Sequence, residues 1–279
     1  MTNENAPDRY AVVGNPVAHS RSPQIHAAFA RQTGQRLEYG RILAPLDGFA
    51  ATVAGFREAG GLGLNVTLPF KLEAFRLATR HTERAAAAGA VNTLRFAGGE
   101  VLGDNTDGAG LVSDLTRNLG LRLTGARVLL LGAGGAARGV VLPLLQQAVA
   151  CLVVANRTAA RARELEALFR AQGPVTGCGL DELAGRAFDV VVNATSAAVG
   201  DAAPDLPPGV HAPGSAAYEM MYGKGETAFL ARARQAGATG LADGLGMLVE
   251  QAAESFLLWR GVRPDTAPVL AALREGRDP

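Results

Sequence analysis

The chain has 279 residues, 48% hydrophobic and 19% charged, which is enough for one large or two modest folded domains and excludes general disorder. Lysine plus arginine (27) nearly balances aspartate plus glutamate (26), and aromatic residues make up only 5%, so we expect no nucleic-acid partner. No apolar run reaches the roughly 20 residues of a membrane span, and residues 1–9 lack the apolar stretch of a signal peptide, so we expect no membrane partner. Two cysteines are too few for a disulfide framework or a zinc site, and we therefore expect a cytoplasmic protein.

The first third of the chain alternates between short apolar runs and helical patterns, which is typical of an α/β fold. The predicted strands are Tyr10–Gly14, Leu37–Ile42, Leu62–Thr67 and a hairpin of Ala90–Phe96 with Glu100–Gly103. The predicted helices are Gln24–Gln32, Ala50–Ala59 and Phe70–Thr79. These elements predict a first unit that ends near Asp107.

The following segments have the βαβ succession of a dinucleotide-binding fold. A predicted helix over Gly110–Leu119 comes first. The predicted strands are Arg127–Leu131, Cys151–Ala155 and Asp189–Asn193, and a helix is predicted over Ala159–Ala171 between the last two. A last long helix, near Gly244–Arg260, has apolar residues at helical spacing and could pack on either unit.

A glycine-rich loop with the pattern G-x-G-x-x-A follows the strand Arg127–Leu131 and begins a helix. In this position between a strand and a helix, the pattern indicates nucleotide binding. Gly132 permits a tight turn, Gly134 lets the backbone approach a pyrophosphate, and Ala137 allows close helix packing. A simple glycine-rich turn is the alternative. We predict that the cofactor contacts the loop residues Gly132, Ala133, Gly134, Gly135 and Ala136.

The strand that follows this helix ends without the acidic residue that would hold the ribose of NAD. Asn156, Arg157 and Thr158 stand there instead, and Arg161 follows one turn later. Two guanidinium groups, each forming charge-assisted hydrogen bonds of about 1.5–3 kcal/mol, would favour the extra phosphate of NADP. A solvated helix start is the alternative, but the spacing favours NADP as the cofactor.

The chain holds 25 arginines but only two lysines, Lys71 and Lys224. Arginine supplies positive charge equally well, so a retained lysine suggests proton exchange near neutral pH, with a surface lysine as the alternative for either position. Lys71 follows Pro69 at the start of a predicted helix, where the positive end of the helix dipole suits proton transfer. Asp107 either caps the helix predicted from Gly110 or serves as a catalytic carboxylate opposite Lys71.

Two hydroxyl groups lie just before the first predicted helix, on Ser20 and Ser22. Ser22 would fit an N-cap with Pro23 at the first helical position, whereas both hydroxyls together could hold a carboxylate. Asn65 and Thr67 would share one face of their strand. The four histidines show no metal-ligand spacing, so we predict no metal site. From the residues alone, the chain is predicted to be an NADP-dependent reductase with a Lys/Asp acid–base pair and an unidentified substrate.

Eight motifs, spread over nearly the whole chain, resemble those of the shikimate dehydrogenase family. In order they are Tyr10–Pro23, Asn65–Lys71, Ala90–Thr93, Gly103–Gly108, Gly132–Ala136, Asn156–Thr158, Asn193–Ser196 and Asp243–Met247. The resemblance implies reversible NADPH-dependent reduction of 3-dehydroshikimate to shikimate, a step of chorismate and aromatic amino-acid biosynthesis. It also implies two α/β domains with a cleft between them: a substrate-binding and catalytic domain of residues 1–107, on which helices of residues 243–279 pack, and a Rossmann-type NADP-binding domain of residues 108–242.

The resemblance also implies roles for individual residues. Lys71 would exchange the proton at the carbonyl oxygen, paired with Asp107. The implied substrate-binding residues are Ser20 and Ser22 for the carboxylate, Thr67, Asn92, Asp107 and Gln251 for the ring hydroxyls, and Tyr222 at the border of the substrate. The implied cofactor contacts beyond the two loops are Thr195, Met220 and Gly244 near the nicotinamide, and Glu83.

Glu219 departs from the resemblance, because the family often has aspartate before the Met-x-Tyr sequence that here contains Met220 and Tyr222. Two other functions stay open at this stage. A quinate/shikimate dehydrogenase would use NAD, which the sequence Asn156–Thr158 disfavours. A regulator that binds a nucleotide without catalysis typically lacks the lysine or the aspartate. The chain could be a monomer or a homodimer.

Overall fold

The computed structural model describes residues 6–195, 203–223 and 225–279, and the chain divides into two compact units. One unit runs to Gly110 and includes Leu248–Pro279, and the other is Leu111–Met247. The boundaries predicted from the sequence were 107/108 and 242/243. Both observed boundaries lie within helices, which is why a search for loops and linkers could not find them. The mixed α/β fold class is confirmed.

The first unit contains a six-stranded mixed sheet in the order β2-β1-β3-β5-β6-β4. Its strands are β1 (Asp8–Gly14), β2 (Leu37–Leu43), β3 (Gly61–Val66), β4 (Arg80–His81), β5 (Thr93–Ala97) and β6 (Glu100–Asp104). Its helices are α1 (Ser22–Thr33), α2 (Phe49–Glu58), α3 (Lys71–Leu77), α4 (Glu83–Ala88), the greater part of α9 (Leu245–Arg260) and α10 (Ala267–Arg274). β1 pairs in parallel with β2 and β3, whereas β5 and β6 form the predicted antiparallel hairpin.

The second unit contains a six-stranded, fully parallel sheet in the order β12-β11-β10-β7-β8-β9. Its strands are β7 (Arg127–Leu131), β8 (Cys151–Ala155), β9 (Val175–Cys178), β10 (Phe188–Asn193), β11 (His211–Glu219) and β12 (Gly240–Asp243). Its helices are α6 (Gly135–Leu145), α7 (Ala159–Phe169) and α8 (Ala228–Gln235), and α5 (Asp107–Ser113) enters the unit from the first one. This strand order is that of dinucleotide-binding folds, with the switch point between β7 and β10.

Several predicted helices have different bounds in the structure, and two of these differences accompany a change in the local backbone conformation. The helix predicted over Phe70–Thr79 ends at Leu77, because the chain becomes extended at Ala78 and β4 then pairs with β6. The helix predicted over Gly110–Leu119 begins earlier, as α5, and continues as a π-helical turn over Asp114–Asn118. Among the described helices, none has both the length and the apolar character needed to cross a membrane.

His26 is fully buried in the core of the first unit, although no individual role was predicted for it. Its ring stacks on Tyr39 with centroids 4.2 Å apart, and neither ring nitrogen has a hydrogen-bond partner in the described chain. Burial lowers the pKa of His26 to about 3. A histidine in the unfolded chain binds a proton below about pH 6.5, whereas His26 in the folded protein stays neutral until the pH is much lower. Between these pH values the unfolded state therefore binds one proton more than the folded state.

We therefore expect the protein to lose stability as the pH falls from about 6.5 towards 3. The loss attributable to His26 should be roughly 2 kcal/mol between pH 7 and pH 5. Urea unfolding at pH 7 and at pH 5 measures the difference in the free energy of unfolding. His26→Phe, which keeps the stacked ring, should make that difference smaller by roughly 2 kcal/mol. An equal difference in both proteins would show that His26 titrates alike in the folded and unfolded states.

Candidate active site

Four separate motifs meet at one edge of the first sheet, where β1, β3 and β6 end and β5 begins. The N–H of Thr67 donates to the Val13 carbonyl at 2.9 Å, which fixes the turn after β3 beside the end of β1. The N–H of Val66 donates to the Asn92 carbonyl at 2.7 Å, and the N–H of Asn92 donates to the Asp104 carbonyl at 3.0 Å. Residues far apart in sequence are therefore held by backbone hydrogen bonds at one edge.

Lys71 and Asp107 form a direct ion pair at this edge. Nζ of Lys71, the first residue of α3, donates to Oδ2 of Asp107, the first residue of α5, at 2.6 Å. The two side chains are 19% and 10% exposed, so the pair is shielded but within reach of a ligand. An amine at a helix start beside a carboxylate can exchange a proton while its charge is balanced.

Asp107 is held on its other side by Asn92 and by its own turn. Nδ2 of Asn92 donates to Oδ1 of Asp107 at 2.8 Å, and the N–H of Asp107 donates to Oδ1 of Asn105 at 3.2 Å. The alternative that Asp107 caps a helix starting near Gly110 is wrong, because the helix starts at Asp107 itself. Both carboxylate oxygens therefore have defined partners, which fixes the orientation of the group.

Gln251 reaches the same cluster from α9. Its Oε1 accepts hydrogen bonds from Thr106 Oγ1 at 3.3 Å and from Asn92 Nδ2 at 3.4 Å, and its Nε2 donates to the Leu248 carbonyl at 2.9 Å. The structure therefore brings together Thr67, Lys71, Asn92, Asp107 and Gln251 on the first unit, as parts of one polar edge.

Ser20 and Ser22 contact each other at the start of α1. Oγ of Ser20 donates to Oγ of Ser22 at 3.1 Å and accepts the N–H of Ser22 at 3.3 Å. The alternative that Ser22 is the N-cap of α1 is wrong, because Ser22 lies inside the helix, and the cap position is Arg21, whose side chain makes no capping bond. The guanidinium of Arg41 also donates to the Ser20 carbonyl at 2.6 and 2.9 Å.

A buried polar network below this edge was not predicted from the sequence. Asn65 accepts a hydrogen bond from the Tyr39 hydroxyl at 2.7 Å and donates to Thr93 at 3.0 Å and to Ser255 at 2.9 Å. Burial raises the pKa of Tyr39 well above its ordinary value, so the phenol keeps the proton that it donates. The position of Asn65 and Thr67 on one strand face was the sequence feature that could have indicated a polar cluster here, whereas nothing in the sequence linked Asn65 to α9.

The glycine loop of the second unit has the geometry of an anion-binding turn. Gly132 has a φ of +106°, where a side chain would strain the backbone, and a Cβ there would lie in a tight contact 3.1 Å from the Ala194 carbonyl oxygen. A Cβ on Gly134 or Gly135 would meet no protein atom within 4 Å. Packing within the protein does not require these two glycines, and the open space over them leaves the start of α6 accessible to a pyrophosphate.

The ends of five strands lie in register around this loop. Leu131 of β7 pairs with Ala155 of β8 and Asn193 of β10, Asn193 pairs with Glu219 of β11, and Glu219 pairs with Asp243 of β12. Consequently the predicted cofactor residues that follow these strands share one sheet edge. They are Gly132, Ala133, Gly134, Gly135, Ala136, Asn156, Arg157, Thr158, Thr195, Met220 and Gly244.

The two predicted phosphate-binding guanidiniums are exposed, one in the loop after β8 and one in the first turn of α7. Nδ2 of Asn156 donates to the Thr158 carbonyl at 3.0 Å, which closes the turn before α7. Arg157 and Arg161 are exposed. Within the described ranges neither arginine has an ion-pair or hydrogen-bond partner for its side chain, so both charges can bind a ligand. These residues and the glycine loop fit an NADP molecule.

Glu219 lies inside the second unit and binds its neighbours. Its carboxylate accepts hydrogen bonds from Asn193 Nδ2 at 2.8 Å and from the Met221 N–H at 3.2 Å. Oδ1 of Asn193 in turn accepts the N–H and the hydroxyl of Thr195, at 3.1 and 2.8 Å. Burial raises the pKa of Glu219 above its ordinary value. The longer side chain therefore fixes the turns that contain Thr195 and Met220.

The remaining predicted residues lie apart from these clusters within their own units. Glu83 is exposed at the start of α4 in the first unit, and the cofactor loops belong to the second. Tyr222 is half-buried after β11 in the second unit, whereas the other predicted substrate residues belong to the first. Lys224 and Ser196 lie outside the described residues.

Three family models match successive parts of the chain. Residues 12–94 match the shikimate dehydrogenase substrate binding domain, residues 114–199 match shikimate / quinate 5-dehydrogenase, and residues 244–274 match the shikimate 5'-dehydrogenase C-terminal domain. The first match contains Lys71 and Asn92, and the second contains the glycine loop.

Similar proteins extend the match over almost the whole chain. The shikimate dehydrogenase (NADP(+)) of Aromatoleum aromaticum is 63% identical over 97% of this chain and 98% of its own, and that of Dechloromonas aromatica is 62% identical over 96% and 97%. The crystal structure of shikimate 5-dehydrogenase from Thermus thermophilus in complex with NADP(H) and shikimate is 33% identical, with a TM-score of 0.85 over 96% of this chain and 99% of that one. The chain belongs to the shikimate dehydrogenase family.

Proposed function

We propose that this chain is an NADP-dependent oxidoreductase that interconverts 3-dehydroshikimate and shikimate, with Lys71 and Asp107 as its acid–base pair. The 2.6 Å contact between Nζ of Lys71 and Oδ2 of Asp107 carries the proposal, because an amine whose charge is balanced by a carboxylate is suited to exchange a proton with a bound ligand. High identity to proteins named shikimate dehydrogenase (NADP(+)) supports the substrate, which the geometry alone does not identify.

Two groups of side chains on the first unit supply most of the substrate contacts. The adjacent hydroxyls of Ser20 and Ser22, 3.1 Å apart at the start of α1, bind the substrate carboxylate. Thr67, Asn92 and Gln251 bind ring hydroxyls beside Asp107, and Tyr222 is the further substrate residue that the family resemblance implies. This division fixes both ends of the ring, so that the carbonyl oxygen can lie at the amine of Lys71.

The acid–base step belongs to Lys71. In reduction, Nζ gives a proton to the carbonyl oxygen as that oxygen gains negative charge, and in oxidation the neutral amine takes the proton from the hydroxyl. Asp107 holds the amine in place and balances its positive charge. When bound, NADPH supplies the hydride that adds to the carbonyl carbon, so one hydride and one proton reduce the ketone to an alcohol.

The cofactor residues are those of the second unit, together with Glu83. The start of α6 and the open face over Gly134 and Gly135 hold the pyrophosphate. Arg157 and Arg161 bind the additional phosphate of NADP, and Thr195, Met220 and Gly244 contact the nicotinamide end. A Cβ on Gly244 would lie 2.2 Å from the Met220 carbonyl oxygen, so glycine is required for this turn.

Replacing Asp107 with asparagine is expected to lower turnover by about 10²-fold and to weaken shikimate binding. The amide keeps the size of the side chain and one acceptor oxygen but loses the charge that faces Lys71. Steady-state kinetics with shikimate and NADP measures both effects. Asp47→Asn, at an exposed aspartate of the same unit, is the control and should leave both constants unchanged. Intact activity in Asp107→Asn would leave this residue only a structural role in α5.

The function is tested by mixing the purified protein with shikimate and either NADP or NAD while the absorbance of reduced nicotinamide is followed. We expect turnover with shikimate and NADP and much slower turnover with NAD. A parallel assay with quinate and NAD tests the alternative of a quinate/shikimate dehydrogenase. Shikimate binding by calorimetry without any turnover would instead indicate a regulator that has lost catalysis.

Two further expectations follow from the chain itself. Cys151 and Cys178 are free thiols, which suits a reducing compartment, and we place the enzyme in the cytoplasm. We expect it to act as a monomer or homodimer. Sedimentation of the purified protein would distinguish these two states.

A further inference from the structure

Arg84 connects two parts of the first unit that carry site residues. From α4, its Nε and one terminal nitrogen donate to the two oxygens of Asp104, at 2.7 and 2.6 Å. This is the bidentate fork that arginine forms with carboxylates and that lysine cannot reproduce. Asp104 is only 1% exposed, and although burial opposes the effect, the guanidinium lowers the pKa of its carboxyl group. The fork therefore stabilises a buried charge at the end of β6.

A chain of hydrogen bonds connects Asp104 to the catalytic carboxylate of Asp107. Oδ1 of Asp104 accepts the N–H of Asn105 at 2.8 Å and the hydroxyl of Thr82 at 2.5 Å. Oδ1 of Asn105 then accepts the N–H of Asp107 at 3.2 Å. The turn that presents Asp107 to Lys71 is thus held through side chains from the end of β6 onwards.

The third guanidinium nitrogen of Arg84 reaches α9. It donates to Oε2 of Glu254 at 3.0 Å, and Glu254 also pairs with Arg263. Glu254 lies one turn after Gln251 on this helix, and Gln251 contacts Asn92 beside the ion pair. One side chain therefore links the turn of Asp107 with the helix that carries Gln251.

We propose that Arg84 is a positioning residue, which sets the Asp107 carboxylate and the Gln251 amide at the distances that the reaction needs. The inference rests on the proposed function and deepens it. Arg84 itself contacts neither the Lys71 amine nor the other predicted substrate residues. Its loss should therefore slow the chemical step more than it weakens binding of either ligand.

The test compares Arg84→Gln and Arg84→Lys with the wild-type protein. Arg84→Gln removes the charge and the fork, and we expect kcat for shikimate oxidation to fall by about 10²-fold, since small misplacements of catalytic groups have effects of this size. Arg84→Lys keeps the charge without the fork and should show an intermediate loss. The matched control is Arg80→Gln, which breaks an exposed arginine–glutamate pair of the same unit and should leave kcat unchanged.

Two readouts separate positioning from a general loss of structure. Shikimate deuterated at the carbon that is oxidised should show a larger isotope effect on kcat in Arg84→Gln than in the wild type, because the chemical step becomes rate-limiting. KM for NADP should stay unchanged, and thermal melting reports whether each variant is folded. If Arg84→Gln does not fold, a lowered kcat with an enlarged isotope effect in folded Arg84→Lys supports the inference.

The positioning role of Arg84 would be overturned if a folded Arg84→Gln had the kcat and the isotope effect of the wild-type protein. If only Arg84→Lys folds, the same result in that variant would overturn it. A wild-type protein without shikimate turnover would overturn the proposed function and this inference with it. Normal wild-type turnover combined with unaltered Arg84 variants would overturn this inference alone.

Discussion

Replacing Lys71 with methionine is expected to lower kcat for shikimate oxidation by about 10²–10⁴-fold, the range typical of a lost general acid–base. Methionine keeps an unbranched side chain of similar length but can neither exchange a proton nor pair with Asp107. Shikimate affinity should change much less, because the hydroxyls of Ser20 and Ser22 and the side chain of Asn92 remain. Steady-state kinetics gives kcat, and calorimetry with shikimate alone gives the affinity.

The matched control for this variant is Arg76→Met, which removes an exposed positive charge from the same helix. It should leave both constants unchanged, so that a loss in Lys71→Met cannot be assigned to the net charge of α3. Near-normal turnover of a folded Lys71→Met would show that the proton comes from another group.

Removing both Arg157 and Arg161 is expected to abolish the preference for NADP. Each guanidinium would contribute about 1.5–3 kcal/mol through charge-assisted hydrogen bonds to the phosphate. Since both side chains are exposed and screened by solvent, the lower end of this range applies, and the double alanine variant should lose about 10²-fold in kcat/KM for NADP. Its kcat/KM for NAD, which lacks that phosphate, should change little.

The control lies on the same helix. Arg163 pairs with Glu182 at 2.9 Å, and Arg163→Ala should leave kcat/KM for NADP unchanged. Comparison of NADP with NAD in each variant separates recognition of the phosphate from a general loss of activity. A double variant that still prefers NADP by the wild-type factor would place phosphate recognition elsewhere.

Local rules predicted much of the second unit. The strands β7, β8 and β10 are apolar runs of five or six residues, and the glycine loop follows the first of them. Parallel pairing aligns their carboxyl ends, which is why motifs distant in sequence meet at one edge of the sheet. In the first unit, the scarcity of lysine and the position of Lys71 at a helix start suggested a pair with Asp107, while a capping role for Asp107 stayed open.

Contacts between distant segments could not be predicted in this way. Asn65 and Ser255 are 190 positions apart, and Arg84 and Glu254 are 170 apart, so no local periodicity or motif links them. The start of α5 at Asp107 depends on the side chain of Asn105 and on the anchored Asp104, which are tertiary effects. The alternative that Ser22 is a cap arose because Ser-Pro is a frequent helix start, but the helix includes Ser22, whose N–H donates to Oγ of Ser20.

The central claim is that Lys71 transfers the proton, and Lys71→Arg tests it most directly. An arginine keeps the positive charge and can pair with Asp107, but it does not release a proton near neutral pH. The measurement is the single-turnover oxidation of NADPH by 3-dehydroshikimate with enzyme in excess. We predict that the rate in Lys71→Arg falls by at least about 10²-fold while both ligands still bind. A wild-type rate in this variant would contradict the claim and reduce Lys71 to a source of positive charge.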